Sequence, residues 1–286
     1  MYIALSQDDV TMDPRLRMIF LIIFFVGMAA IVLSRFYIYF EQLYASKYKK
    51  PFFVNYATFQ NRLTKSQRHV LERKFTFYSK LKPKERAMFR HRVATFIKDK
   101  EFVAREGLEL TDEVVTLISA TAMMMTFGFK DYLVDLISTV VVYPKPFYSK
   151  TNDAMHKGEM NPQFGTIVFS WEDFKEGYDI SNDNLNLGVH EFGHAIHLNS
   201  FKNDDISAMI FSDGFEDLKT YLKDNEPIRQ ELIKSKYFRA YAYTNQFEFV
   251  AVLMENFIET PQEFKSRFPE VYRHVKQMLN FNFAGY

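Results

Sequence analysis

The 286-residue sequence contains no cysteine. This absence excludes a disulfide framework, thiolate zinc fingers, iron–sulfur clusters and a cysteine nucleophile, so a metal site would have to use histidine and carboxylate side chains. The sequence also lacks internal repeats, low-complexity tracts and a glycine-rich phosphate-binding loop. Apolar residues make up 48% of the chain, which argues against extended disorder and provides for a sizeable buried core.

Net charge is nearly absent, at +1, but the charges are unevenly distributed along the chain. Residues 1–34 sum to −1, residues 35–100 carry 17 basic and four acidic side chains for a net +13, and the remainder is −11. The small total argues against a dedicated nucleic-acid-binding protein, and the basic segment contains no base-reading motif. Two interpretations of the basic segment stay open: a solvated face of ordinary helices, or a juxtamembrane region attracted to anionic lipid.

One long apolar segment, residues 18–34, contains no charged side chain and is flanked by Arg17 and Arg35. Seventeen residues at about 1.5 Å each reach the lower limit for crossing the hydrocarbon core of a bilayer. The tyrosine and phenylalanine residues that follow are typical of a membrane interface. The alternatives are a buried core helix and a cleavable signal peptide, for which the residues after the apolar segment offer a poor cleavage site. The pattern therefore predicts one transmembrane helix, with its interface, over residues 18–40.

Basic residues near the predicted span are more numerous after it than before it. They are Arg15 and Arg17 on the N-terminal side, and Arg35, Lys47, Lys49 and Lys50 on the C-terminal side. Three aspartates accompany the first pair, at positions 8, 9 and 13. The positive-inside bias therefore predicts that the N-terminus lies outside and that the C-terminal domain lies in the cytoplasm.

The predicted domain organisation has four parts. They are an N-terminal tail at 1–17, the transmembrane helix and interface at 18–40, a basic juxtamembrane helical segment at 41–80 and a main domain at 81–280.

Within the main domain, helices come first, then short strands, then helices again, which is an α+β order rather than a repeating βαβ one. Pro83 is well placed to begin a helix, and Thr111 can cap another whose first turn is acidic. Valine-rich patterns predict two strands, at residues 138–143 and 165–171, and a polar loop at 148–164 between them.

The strongest chemical signal is an HEFGH motif in which His190 and His194 lie four residues apart. On a helix this spacing places both imidazoles on one face, where they can reach one ion. Glu191 projects about 100° around the helix from His190, beside the metal, where it can touch an activated water. This is the H-E-x-x-H arrangement of zinc peptidases, and the alternative is two histidines on an ordinary amphipathic helix. Asn182 or Asp183 is predicted to cap the helix.

A catalytic zinc site needs a third protein ligand. His197 is the nearest histidine, but it lies about 10.5 Å along the helix axis from His190, too far to share one ion. Glu248 is a better candidate, because it lies in an apolar helical segment that Asn245 could cap and a carboxylate is costly to bury there without a cation. A solvated glutamate at the rim of a core helix is the alternative. Glu255 lies seven residues further along the same stripe, and no role for it follows from the sequence.

Six blocks between about residues 81 and 275 resemble the Mlc titration factor A family, and they occur in the family's order. The blocks are LKPKERAMFRHRVATFIKDKEFVAREGLELTDEV, VVVYPKPF, GTIVFSWEDF, GVHEFGHAIHL, YAYTNQFEFVAVLMENFIETP and FKSRFPEVY. The resemblance implies a gluzincin-type zinc-dependent peptidase, helix-rich, with its active-site helix under a small mixed sheet. It implies one Zn²⁺ per chain held by His190, His194 and Glu248, with Glu191 as the catalytic base and Tyr241 as a further catalytic residue.

Characterised members of this family show aminopeptidase-like activity and bind a glucose-responsive transcriptional repressor. In gluzincins the substrate lies as an extra strand along a sheet edge, which is expected here at residues 165–170. This sequence departs from the family pattern at His197, where an acid is usual, and in its N-terminal span.

The sequence therefore predicts a membrane-anchored zinc peptidase that acts on a peptide or protein substrate. The alternative is a regulatory protein of the same fold that sequesters a transcription regulator or another partner. A membrane scaffold acting through the basic segment would leave the HEFGH motif unexplained.

Overall fold

The computed structural model describes residues 13–54, 60–149, 153–180 and 182–286. Residues 1–12 of the predicted tail, including two of its aspartates, lie outside the described residues, and so do residues 150–152 of the predicted polar loop. The helices are α1 (Pro14–Tyr48), α2 (Lys65–Lys74), α3 (Thr76–Lys80), α4 (Pro83–Asp99), α5 (Asp112–Met125), α6 (Trp171–Asp179), α7 (Leu187–Lys202), α8 (Ile206–Asp224), α9 (Glu226–Lys234), α10 (Gln246–Glu259), α11 (Pro261–Arg267) and α12 (Pro269–Met278). A 3₁₀ turn, Ala240–Tyr243, precedes α10.

The strands are short. They are β1 (Glu101–Ala104), β2 (Thr139–Tyr143), β3 (Phe147–Ser149), β4 (Ala154–His156), β5 (Gly158–Asn161) and β6 (Thr166–Ser170). The helix-rich α+β class predicted from the sequence is confirmed, as are the helix starts at Pro83 and Asp112 and the two valine-rich strands.

Helix α1 contains the predicted span. The side chain of Asp13 accepts a hydrogen bond from Arg15 N, Pro14 occupies the first turn, and Lys49 ends the helix in the left-handed conformation. The side chains of residues 18–34 are exposed throughout. Among the residues that the structure describes, α1 is the one helix long and apolar enough to cross a membrane, by length and composition.

The C-terminal end of α1 packs against the rest of the chain instead of ending as a free linker. Its contacts are Ala45 with Ile206 and Ile210, Glu41 Oε2 with Lys130 Nζ at 2.7 Å, and Lys49 Nζ with Asp213 Oδ2 at 2.8 Å. Glu41 and Ala45 are buried in this interface. Helix α1 therefore continues past the apolar segment as one rod and is fixed to α8.

Helices α2 and α3 contribute apolar side chains to the main core. Leu71, Phe75, Phe77 and Tyr78 are buried in the same cluster as Phe89 of α4, with their basic neighbours facing solvent. This arrangement agrees with the solvated-face interpretation for this part of the basic segment. The domain boundary at residue 81 stays a prediction.

Four strands form one mixed sheet in the order β1-β2-β6-β5. Strands β1, β2 and β6 are parallel, whereas β5 runs antiparallel to β6 with Gly158 opposite Phe169. Strands β3 and β4 form a separate antiparallel pair. The buried side chains of β2 and β6 join the core, and α7 packs against β5 and β6.

Two expectations about this region were wrong. The segment 148–164 is not simply a polar loop, because it contains β4 and β5 and most of β3. Residues 165–170 do not form the sheet edge, because β6 lies between β2 and β5. The edge next to α7 is β5, a four-residue strand whose mixed polarity gives no alternating apolar signal.

Candidate metal and catalytic centre

The active-site helix α7 begins later than predicted. Its cap is Asn186, whose side chain accepts from Val189 N at 3.0 Å, and not Asn182 or Asp183. The residues before the cap form a bent connection that is held by the end of α10, where Glu259 accepts from the backbone N–H of Asn184 at 2.7 Å. The helix therefore has a local cap, but at Asn186 and not at the earlier positions that the sequence pattern favours.

Helix α10 packs closely against α7 because the HEFGH motif contains glycine. A Cβ atom at Gly193 would lie 3.3 Å from the Cα of Ala251 and 3.3 Å from the sulfur of Met254. The predicted cap of α10 is confirmed, since Asn245 accepts from the backbone N–H of Phe247 and of Glu248. Glu248 therefore lies in the first turn of α10, against α7.

The structure brings together the three side chains predicted to hold a metal. His190 Nε2 lies 3.0 Å from His194 Nε2 and 3.1 Å from Glu248 Oε2, and His194 Nε2 lies 3.5 Å from Glu248 Oε1. All three side chains are mostly buried. Within the described ranges they form the one group of histidine, cysteine or acidic residues, three or more in number, with ligand atoms close enough to share an ion.

The donor atoms at this site suit a cation. Glu248 Oε2 is buried without a hydrogen-bond partner among the described residues, and it points at the same space as the two imidazole Nε2 atoms. Although burial opposes ionisation, the adjacent imidazoles of His190 and His194 hold the pKa of Glu248 below its usual range. Two nitrogen atoms and one ionised carboxylate that converge in this way match the ligand set of a catalytic zinc site.

Glu191 lies beside this group and not within it. Its side chain is buried, and burial raises the pKa of its carboxyl group against the opposing effect of His194 and His190. Strand β5 passes directly over it: a Cβ atom at Gly158 would lie only 2.7 Å from Glu191 Oε1. Strand β5 can therefore approach Glu191 this closely only because residue 158 has no side chain.

Tyr241 lies on the 3₁₀ turn at the rim of the site, with 51% of its surface exposed. Its ring centroid is 6.2 Å from that of His190. Burial, together with the charge of Glu248 and a hydrogen bond to it, raises the pKa of Tyr241 to about 12. The phenol is therefore neutral near pH 7 and can donate a hydrogen bond towards the metal group, that is, His190, His194 and Glu248.

His197 is not part of the site. It is fully buried among the rings of Phe201, Phe211, Phe215 and Phe247, and neither ring nitrogen has a hydrogen-bond partner in the part of the chain that the structure describes. Burial lowers the pKa of His197 to about 4, so the imidazole is neutral.

Two further residues lie behind the metal group and were not assigned from the sequence. Glu255 Oε1 lies 2.5 Å from His190 Nδ1, and Arg239 contacts both oxygens of the same carboxylate. A weak signal for Glu255 existed, since it lies two turns after Glu248 on the same stripe of α10. No pattern in the sequence marks Arg239.

Fold and site together define a metallopeptidase-like protein, and comparisons with known proteins agree. The family of glucose-regulated metallo-peptidases M90 matches residues 50–280, and the chain belongs to this family. The resemblance recognised in the sequence blocks is thereby confirmed. Membership implies a bound metal ion, for which the three clustered side chains are the ligand set that the structure offers.

Similarity to individual relatives is lower. The chain is 23% identical over 241 residues to an uncharacterized protein of Synechocystis sp., covering 77% of this chain and 85% of that protein. It is 26% identical over 195 residues to proteins called Mlc titration factor A from Yersinia pestis and Yersinia pseudotuberculosis, covering 62% of this chain and 71% of each relative.

Proposed function

We propose that the protein is a membrane-anchored, zinc-dependent peptidase with one zinc ion per chain. The observation that carries this proposal is the convergence of His190, His194 and Glu248, with the carboxylate of Glu191 beside them under the edge strand. The metallopeptidase family supports the reaction class.

His190, His194 and Glu248 would hold the zinc ion through two imidazole nitrogens and one carboxylate, which is the ligand set of a catalytic site with one open position. When bound, zinc supplies Lewis-acid polarisation of the scissile carbonyl and activation of the attacking water.

Glu191 acts as the general base. Its carboxylate takes the proton of the attacking water and later delivers it to the leaving amine, and burial, which raises the pKa of Glu191, helps the side chain to hold that proton between the two transfers. The neutral hydroxyl group of Tyr241 donates a hydrogen bond to the oxyanion of the tetrahedral intermediate.

The substrate is a peptide or protein segment that adds to the sheet along β5. Ser170 N donates to Lys157 O at 2.7 Å, so residues 157 and 170 form a hydrogen-bonded pair of the antiparallel ladder. Because such pairs alternate, the backbone groups of Gly158 and Met160 point away from β6. These groups are free to pair with an extended substrate next to Glu191.

Helix α1 anchors the protein by residues 18–34, with the catalytic domain on the cytoplasmic side. Reporter fusions after residue 50 and after residue 286 test this topology. We expect cytoplasmic reporter activity at both points. A periplasmic reporter active at both points would reverse the orientation, and a full-length chain soluble without detergent would contradict the anchor.

A regulatory binding protein is the second candidate, because several relatives carry the name Mlc titration factor A. Such a protein would sequester a transcription regulator or another partner through the same fold. The presence of Glu191 argues against a purely non-catalytic role, since zinc binding does not require this residue.

Metal analysis of the full-length protein, combined with a peptide-substrate screen, tests the proposed function. We expect one zinc per chain and hydrolysis that a chelator abolishes. Glu191→Gln should keep the fold and the zinc but lose hydrolysis, because an amide does not accept the proton of the water. Full activity of Glu191→Gln would remove this mechanism, and metal-loaded wild-type protein that hydrolyses none of the peptides would favour the binding protein.

A further inference from the structure

A buried ion pair lies directly behind the metal group. Glu255 of α10 is 0% exposed, and both of its oxygens are bound. Oε1 accepts from Nη2 of Arg239 at 2.6 Å and lies 2.5 Å from His190 Nδ1. Oε2 accepts from Nη1 of Arg239 at 2.9 Å and from the backbone N–H of Asn186 at 3.3 Å. A carboxylate this deep in the core is stable only because these donors surround it.

The pair fixes the direction of the hydrogen bond at His190. A carboxylate only accepts and a guanidinium only donates, so His190 Nδ1 is the donor to Glu255. In the neutral ring that a metal ligand requires, His190 Nε2 then presents its lone pair to the space that it shares with His194 and Glu248. The 3.1 Å separation between Arg239 Nη2 and His190 Nδ1 is the spacing of two donors that share the acceptor Oε1.

Arg239 also contacts the segments on either side of the site. Its Nη1 donates to the backbone carbonyl of Asn184, in the connection that leads into α7, at 3.1 Å. The guanidinium carbon lies 5.9 Å from the ring centroid of Tyr241, only two residues further along the chain. One side chain therefore touches the carboxylate behind His190, the entry to α7 and the tyrosine at the rim.

We infer that Arg239 is a positioning residue that couples the orientation of His190, through Glu255, to the placement of Tyr241. The inference rests on the proposed function, in which His190 is a metal ligand and Tyr241 a catalytic donor. An ion pair that serves only to stabilise the fold would change unfolding and leave metal affinity and kcat alone.

The test uses the full-length protein with Arg239→Lys, Glu255→Gln, Tyr241→Phe and the double variant Arg239→Lys with Tyr241→Phe. Lysine keeps the charge but not the planar fork that binds both oxygens. Zinc affinity is measured by competition with a chelator. The values of kcat and KM are measured at saturating zinc, and thermal unfolding is measured without metal. The visible absorption spectrum of the Co²⁺-loaded protein reports ligand geometry independently of activity.

We expect Arg239→Lys and Glu255→Gln each to weaken zinc affinity by roughly 10–100-fold and to change the Co²⁺ spectrum. At saturating zinc, Arg239→Lys should lower kcat more than it changes KM. Tyr241→Phe should then lower kcat by a smaller factor in the Arg239→Lys background than in the wild type, because a displaced tyrosine already contributes less to the reaction. Arg273→Lys, in the surface pair with Glu270, is the matched control and should change none of these values.

Unchanged zinc affinity and an unchanged Co²⁺ spectrum in both single variants would overturn the inference, whatever happens to unfolding. Equal costs of Tyr241→Phe in the two backgrounds would overturn the coupling to the tyrosine. A wild-type protein that hydrolyses no peptide would contradict the proposed peptidase activity alone. Zinc affinity and the Co²⁺ spectrum would still test the contact of Glu255 with His190.

Discussion

The two halves of α7 place the same residue type in opposite surroundings. His190 and His194, in the first half, face each other and Glu248 across about 3 Å, with the carboxylate of Glu255 behind His190. His197, less than one turn later, faces only phenylalanine rings. The difference comes from the neighbouring side chains: Glu248 and Glu255 of α10 lie against the first half, whereas Phe211 and Phe215 of α8 and Phe247 of α10 lie against the second. A histidine on this helix can ligate a metal only where a neighbour supplies a carboxylate.

The largest expected effect separates these halves directly. Glu248→Ala should lose bound zinc, because it removes the carboxylate that completes the three-ligand set. His197→Ala should keep one zinc per chain. Metal content after purification, measured for both variants beside the wild type, checks this. Zinc retained in the first variant and lost in the second would show that the ligands are wrongly assigned.

A smaller change tests the clearance that the first half of α7 needs. In Gly158→Ala the new methyl group would lie 2.7 Å from Glu191 Oε1 and from Leu187 Cδ1, which are ends of side chains that can move. The fold and the zinc should survive, but Glu191 should be displaced and kcat should fall by about 10²-fold or more. Gly27→Ala, with nothing near its new methyl group, is the control. Wild-type kcat in Gly158→Ala would mean that Glu191 does not work in this position.

Tyr241→Phe tests the rim of the same half. Removing the hydroxyl group should leave zinc content unchanged and lower kcat by about 10²-fold, the scale of one lost oxyanion donor. Steady-state kinetics at saturating zinc measure the effect. An unchanged kcat would leave Tyr241 as a surface residue with no part in the reaction.

The entry to α7 predicts a dependence of stability on pH. Burial, partly offset by hydrogen bonds from Asn186 and Asn184, raises the pKa of Glu259 from 4.5 to about 7. Between these values the folded protein keeps a proton that the unfolded chain has lost, so the free energy of unfolding should fall as pH rises from about 4.5 to 7.

Glu259→Gln should reduce this decrease in the free energy of unfolding by roughly 1–3 kcal/mol. We expect a value near the lower end, because the carboxyl group is partly exposed to solvent. Glu263→Gln, exposed on α11, should leave it unchanged. Denaturant unfolding at several pH values compares the three proteins. Identical pH profiles for Glu259→Gln and the wild type would contradict the raised pKa.

The smallest effect concerns the second half of α7. His197→Phe replaces an imidazole that has two unsatisfied nitrogens with a ring of similar shape, so it should leave stability unchanged or raise it by about 1 kcal/mol. Thermal unfolding and metal content check this. A loss of zinc, or destabilisation by several kcal/mol, would mean that a ring nitrogen of His197 forms a polar interaction in the native protein.

The features that local sequence patterns predicted are those that depend on neighbouring residues in the chain, such as helix spacing and helix caps. The four-residue spacing in HEFGH is sufficient to place two imidazoles on one helix face, and Asn245 marks the start of α10 by its own hydrogen bonds. Thr111 starts α5 in the same way. Glu248 was recognisable because a carboxylate among apolar residues needs a cation.

Other features depend on contacts between distant segments. The start of α7 at Asn186 is set by Glu259, more than 70 residues later. Strand β5 is only four residues long and is defined by pairing with β6, so its own composition resembles a loop. Arg239 and Glu255 form an ion pair only because the segment that leads into the 3₁₀ turn packs on α10, and no local pattern in the sequence predicts this pairing.

The continuous rod of α1 determines how the domain would search for substrate. About 14 residues, roughly 21 Å of helix, follow the apolar segment. The end of this helix is fixed to α8 by Ala45 and by the ion pair of Lys49 with Asp213, and to the segment before β2 by the ion pair of Glu41 with Lys130. If α1 anchors the protein as proposed, such a rod leaves the domain no joint at which to swing or tumble, so the domain would diffuse in two dimensions with its cleft at one height and one tilt. Its reach is then a thin layer parallel to the bilayer, and a scissile bond outside that layer would have to be carried into it by the substrate's own flexibility.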